Sequence, residues 1–143
     1  MEEIFYKTEC YILNGILFKI QNDLGTKFLE RHYQRALEAK LLECKIPYQK
    51  EFPIDIYYAN KLLGKFYADF VVWNMIIIEL KTTNFISNEN IKQMIRYLEA
   101  TKLKLGLLVN FRVRPLKIKR IINTRFSQKF GIRDISGRSH LCN

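Results

Sequence analysis

Two charged side chains stand two residues apart at the end of an apolar run. The segment from Met75 to Thr82 reads MIIIELKT, so Glu79 and Lys81 follow directly on Ile76, Ile77 and Ile78. Side chains at i and i+2 of a strand point to one face, so Glu79 and Lys81 project side by side while Leu80 points the other way. If a tight turn is centred on Asn74, positions whose numbers sum to about 148 oppose each other, and Asp69 lies beside Glu79. A slip of one residue would carry Asp69 to the other face, so its place depends on that turn. Two carboxylates this close repel unless a cation sits between them, and hard oxygen donors suit Mg²⁺ or Mn²⁺. Such an ion binds a phosphate oxygen and lowers the pKa of a bound water, while Lys81 would orient that water or neutralise charge developing at phosphorus. This is the chemistry of phosphodiester hydrolysis. The plainer account is a Glu-Lys pair on a solvated strand with Asp69 as ion-pair partner, which contributes little to stability. The apolar runs FVV and MIII weigh against it, because unpaired charges are costly in a sheet interior.

A frame must hold these residues. Tyr11 to Asp23 carries Ile12, Leu13, Ile16, Leu17 and Ile20 at helical spacing, and Gly25 stands where a helix closes in a left-handed cap. A second helix is expected from about Phe28 to Cys44, striped by Leu29, Tyr33, Ala36, Leu37, Lys40 and Leu41, until Pro47 turns the chain out. From Tyr48 onward β-branched and aromatic residues dominate, predicting strands over Tyr48 to Tyr58, Leu63 to Trp73 and Met75 to Thr82. Turns fall near Asn60 and Lys61 and at Asn74. A helix over Asn88 to Thr101, a buried strand over Leu105 to Phe111 and a short edge strand over Ile118 to Ile122 complete the order. This predicts a single α/β (α+β) domain with a mixed central sheet flanked by helices. The crossover through the third helix makes the strands on either side of it parallel, with a right-handed connection. Phe126 to Asn143 is weakly patterned and is expected to be a loosely held tail beyond a domain of residues 1–125.

Glu30 and Tyr33 share a face of the second helix, and Gln93 and Tyr97 a face of the third, with Arg96 beside them. Taken singly, each is explained by amphipathic packing, and Glu30 also by the helix dipole. The net charge of +10 favours an anionic partner, nucleic acid foremost. The cations Arg112, Arg114, Lys117, Lys119, Arg120, Arg125, Lys129 and Arg133 follow one another with no carboxylate between them, although a solvated basic face accounts for them equally well. Cys10, Cys44 and Cys142 are odd in number and scattered, which argues against a disulfide framework or a paired-cysteine metal site. The chain has no apolar run long enough to span a bilayer, and its start is too charged for a signal peptide, so no membrane role and a cytoplasmic location are expected. His32 should point away from Glu30, His140 falls in the tail, and Trp73 should pack at a rim. Tyr57 and Tyr58 fit stacking on unpaired bases and ordinary strand packing equally.

Together the stretches LGTKFLERHYQRAL, KFYADFVVWNMIIIELKT and QMIRYLEATKLKLGLLVNF resemble the GxxExxY proteins, a small-domain branch of the PD-(D/E)XK nuclease superfamily, over roughly Ile12 to Asn123. The resemblance implies a restriction-endonuclease-like sheet and a Mg²⁺- or Mn²⁺-dependent hydrolase acting on DNA. It makes Asp69 and Glu79 the metal-binding acids and Lys81 the catalytic lysine. Glu30 and Tyr33 match the glutamate and tyrosine of the family's name, and Gln93 and Tyr97 a QxxxY feature whose glutamine supports the site. Tyr97, Arg96, Arg112, Arg114, Lys117, Lys119 and Arg120 are then the candidate nucleic-acid contacts. The motif glycine is replaced by Lys27, with Gly25 nearby to supply the turn, and Ala68 precedes the aspartate where proline is usual. Two other functions compete: a catalytically silent nucleic-acid- or protein-binding module on the same fold, and a regulatory protein whose basic face docks an acidic partner.

Overall fold

A computed structural model describes residues 6–125 of the chain. They form α1 (Lys7–Leu24), α2 (Glu30–Glu43), β1 (Tyr48–Tyr58), β2 (Lys61–Val72), β3 (Ile76–Lys81), α3 (Asn88–Thr101), β4 (Leu105–Asn110) and β5 (Lys117–Ile122). Every element expected in this range is present, and the boundaries move for local reasons. The first helix begins at Lys7 because Tyr6, left-handed at φ 56, turns the chain into it. The second begins at Glu30, where His32 reaches back to accept the Leu29 N–H on Nδ1 at 3.1 Å. Gly25 closes α1 at φ 83, a conformation that favours glycine, and its N–H donates to the Gln21 carbonyl at 2.7 Å. The expected tail, with Lys129, Arg133, His140 and Cys142, lies outside the described residues.

The five strands lie in chain order. β3 and β4 are parallel from Ile76↔Leu105 to Lys81↔Asn110, as the crossover through α3 predicts, and the other pairs are antiparallel. Helices α1 and α2 cover one face, where Leu13, Leu17, Tyr33, Leu37 and Leu41 pack on Phe70, Ile78 and Leu80. Helix α3 covers the other, where Met94, Tyr97 and Leu98 meet Ile77, Leu108 and Ile121. Ile76, Ile77 and Ile78 are each fully buried because both faces are covered, which is why their run does not alternate. Gly106 lets α3 sit down on β4, since a Cβ there would collide with the Met94 side chain. Among the described residues no helix is long and apolar enough to cross a membrane.

Pairs of left-handed residues form both hairpin turns. Ala59 (φ 50) and Asn60 (φ 65) join β1 to β2, and Trp73 (φ 56) and Asn74 (φ 55) join β2 to β3. Such turns match the twist of the strands they connect. Trp73 packs half-buried at the rim of the α1–α2 core. The β2–β3 ladder runs only from Val72↔Ile76 to Phe70↔Ile78, whereas β1 stays paired with β2 out to Tyr58↔Lys61. Beyond Asp69 the hairpin therefore continues as a two-stranded arm.

The arm also turns over. Tyr48 packs with the α1–α2 core and Lys50 bonds Glu38 of α2, but Phe52 and Ile56 pack toward α3. On β2, Phe70 and Val72 belong to the first core and Ala68 to the second. The reversal falls at Glu51, left-handed at φ 52 and bracketed by the pairs Lys50↔Phe70 and Phe52↔Ala68, which puts it opposite Asp69.

Candidate active site

The register required by the Asn74 turn is the one observed, since Phe70↔Ile78 and Val72↔Ile76 leave Asp69 next in line with Glu79. The two residues do not meet as a ladder pair. The strands part at this rung, and the carboxylates take over the backbone bonds: the Asp69 N–H donates to Glu79 Oε2 at 2.7 Å, and the Leu80 N–H donates to Asp69 Oδ2 at 2.8 Å. Each acid thus fixes the other's strand. Glu79 is only 5 % exposed. Burial first, and the Asp69 charge second, push its carboxyl up to about 8. Asp69 is likewise raised by burial, and the Leu80 N–H, Lys81 and Gln34 pull it back down. Lys81 shares the face of Glu79, as strand geometry requires, and favours the ionised form of both acids.

Helices bring two further groups. Glu30, half-buried at the first turn of α2, is raised by burial and by Asp69 and drawn down by Lys81, so it lies within electrostatic reach of both. Tyr97 of α3 is 4 % exposed, and burial, then Glu79 and Asp69, hold its hydroxyl at about 12. Gln93 is half-buried one helical turn before Tyr97. Tyr33 does not face the acids. Its hydroxyl donates to the Gly25 carbonyl at 2.6 Å and its ring stacks on Phe111 at 4.3 Å, anchoring the start of α2 behind Glu30.

A model of the PD-(D/E)XK nuclease superfamily matches residues 7–121. The chain belongs to this superfamily. It is also similar to the crystal structure of SSO0001, with a TM-score of 0.52 and 19 % identity over 69 % of this chain and 55 % of that one. That likeness establishes the shared restriction-endonuclease-like fold, and the chain spans 55 % of the length of SSO0001. No curated protein matches the chain.

PD-(D/E)XK nucleases generally use divalent metals. Among the described residues no group of three His, Cys, Asp or Glu converges to hold a metal ion. Asp69 and Glu79 still fit Mg²⁺, which takes one or two carboxylates and keeps several waters. Burial first and the neighbouring Asp69 charge second disfavour an ionised Glu79, and a bound cation would offset both.

The basic residues divide between faces of this superfamily fold. Cross-strand pairing sets Lys119 in the rung of Glu79 and Leu108, and Lys117 in the rung of Lys81 and Asn110. Both lysines are exposed on the face of Glu79 and Lys81, about 10 Å away across two strand spacings. Arg120 takes the other face, where its guanidinium donates to the Cys10 Sγ of α1 at 3.2 Å. Arg112 and Arg114 are exposed in the loop leaving β4, which Gln21 of α1 holds through the Phe111 and Val113 carbonyls at 3.1 and 2.7 Å. Arg96 is exposed on α3.

Three residues of the site were not singled out from the sequence. Gln34 of α2 favours the ionised form of the Asp69 carboxyl, and its position four residues after Glu30 was a usable signal. Asn110 is buried, accepts the Thr83 and Arg112 N–H groups at 3.2 and 3.1 Å and donates to the Thr83 carbonyl at 2.9 Å, tying down the chain just past Lys81. Glu51 stands opposite Asp69, and its charge helps to raise the Asp69 carboxyl.

Proposed function

We propose that the chain is a metal-dependent nuclease that hydrolyses DNA phosphodiester bonds at Asp69, Glu79 and Lys81. The observation that carries this reading is the interlocked pair of half-buried Asp69 and buried Glu79, with Lys81 on the strand face of Glu79. Asp69 and Glu79 would hold Mg²⁺ or Mn²⁺, which supplies Lewis-acid polarisation of the phosphate and a more acidic water. The chain's own groups do the positioning. The Leu80 N–H fixes the Asp69 carboxylate, Gln34 favours its ionised form, and Lys81 faces the negative charge that builds on the phosphate. Glu30, within reach of Lys81, steadies the ammonium. Gln93 supports the site from α3, and Tyr97, Arg96, Arg112, Arg114, Lys117 and Lys119 contact the substrate. Arg120 is assigned a weaker part, because it already bonds Cys10. The GxxExxY branch is the one these residues match best, through Glu30 and Tyr33.

The test is incubation of linear, circular and single-stranded DNA with Mg²⁺, Mn²⁺ or chelator. Cleavage should need the metal and should vanish in Lys81→Ala while the fold is retained. Cleavage that survives Lys81→Ala defeats the assignment. The second reading, a module that binds nucleic acid without turnover, draws on the convergence of only two metal-type ligands among the described residues. It gains if nothing is cut while affinity falls steeply with salt.

A further inference from the structure

The arm beyond Asp69 carries aromatic rings that its own packing does not use. Phe52, Ile54 and Ile56 of β1 and Ala68 of β2 face α3, and the Phe66 ring lies 6.2 Å from that of Tyr97. By alternation along β1 Pro53, Asp55 and Tyr57 face outward, and so do Tyr67 and Lys65, the partners of the first two; the register shifts between Ile56 and Tyr57, which pairs Tyr57 with Leu62. Tyr67 is 55 % and Tyr57 61 % exposed, and Tyr58 at the tip is 73 % exposed, so strand packing does not account for these rings. Exposed rings grouped on one arm in this way offer a surface for a binding partner.

We infer that this outer face binds a nucleic-acid strand with unpaired bases and delivers it to the Asp69 end of the arm, so that the site acts on single-stranded segments. The inference rests on the nuclease reading and names its substrate class. Tyr67 lies two residues from Asp69, and Tyr57 about 13 Å farther along the arm, counting four residues of strand from Pro53. Two tyrosine faces at that spacing give successive stacking platforms that any base can use. On the face itself Lys65 and Asp55 pair at 2.9 Å and cancel, so the rings carry the contact there, and the attraction for a phosphate backbone comes from Lys61 at the tip and from the chain's overall +10. A protein strand adding to this edge is disfavoured, because β1 carries left-handed Glu51 and Pro53, which lacks an N–H.

The experiment is fluorescence anisotropy in chelator, which prevents cutting, with a labelled single-stranded oligonucleotide and the same sequence as a duplex. Relative to the wild-type chain, the double substitution Tyr57→Ala with Tyr67→Ala should weaken single-strand binding at least about tenfold. Duplex binding should change less than twofold, and the double Tyr→Phe variant should bind like wild type. A thermal melt of each variant checks folding, and mass-spectrometric mapping of bromouracil crosslinks on the wild-type chain gives an independent readout at Tyr57 and Tyr67. Unchanged single-strand affinity, equal losses for both nucleic acids, or crosslinks that all fall elsewhere would overturn the proposal. So would self-association that the alanine variant abolishes while oligonucleotide binding persists, which would make the face a contact between two copies. Because no cleavage is read, failure here leaves the nuclease reading standing, and a wild-type chain that binds single strands through these tyrosines yet never cuts would defeat that reading instead.

Discussion

Glu79→Gln should make the metal-free protein more stable above neutral pH. The folded chain holds the Glu79 proton up to about pH 8, against 4.5 for the ordinary carboxyl. Between those values the folded state binds a proton that the unfolded state has released, so stability falls as pH rises through the window. A gap of about 3.5 on the pH scale corresponds to a ceiling of roughly 5 kcal/mol at 1.4 kcal/mol per pH unit. Glutamine keeps the shape and can still accept the Asp69 N–H that Glu79 Oε2 accepts at 2.7 Å, while its amide offers a donor toward the Asp69 carboxylate. Urea melts of both proteins at pH 5, 6, 7 and 8 in chelator would measure the effect. The two should nearly coincide at pH 5 and separate by about 2 kcal/mol or more at pH 8, with the glutamine variant the more stable. Added Mn²⁺ should then stabilise the wild type at pH 8 and leave the variant unmoved. If the difference between the two proteins is constant across the pH range, the Glu79 carboxyl is not the perturbed group and the reasoning fails.

Gln34→Ala removes a side chain that favours the ionised Asp69 carboxyl, so apparent Mn²⁺ affinity by titration calorimetry should drop roughly tenfold while the melting midpoint barely moves. Gly106→Ala forces a methyl group into the Met94 side chain and should cost about 1–3 kcal/mol in a denaturant melt, and much of that loss should return when Met94→Ala is added.

The parts of the fold that were legible follow from local rules. The unbroken run Ile76, Ile77 and Ile78 announced a strand covered on both faces, and all three are fully buried. Asn74 announced a tight turn, and both it and Trp73 are left-handed, which set the register that aligns Asp69 with Glu79. The helix starts were less legible, because Tyr6 and His32 act through a backbone angle and a side-chain cap that periodicity does not report. Tyr33 was legible as a motif residue but not in its task, which is to hold α2 against Gly25 and Phe111.

The least legible feature is the one on which the site turns. In YQKEFPIDIYY the residues Tyr48, Phe52, Ile54 and Ile56 keep one parity, so the segment reads as a strand with a single apolar face. In the folded chain Tyr48 packs with the α1–α2 core and the others toward α3, because left-handed Glu51 reverses the ribbon without shifting its register. A non-glycine residue in that conformation costs on the order of 1 kcal/mol and persists only where its surroundings hold it. Here the reversal puts Asp69 at the one rung where the ribbon passes from one helical layer to the other. Gln34 and Glu30 of α2 reach Asp69 from one side, while Glu79, whose charge bears on Tyr97 of α3, reaches it from the other. An untwisted hairpin would have given Asp69 to one layer alone, so the strain at Glu51 is tied to assembling a site from both.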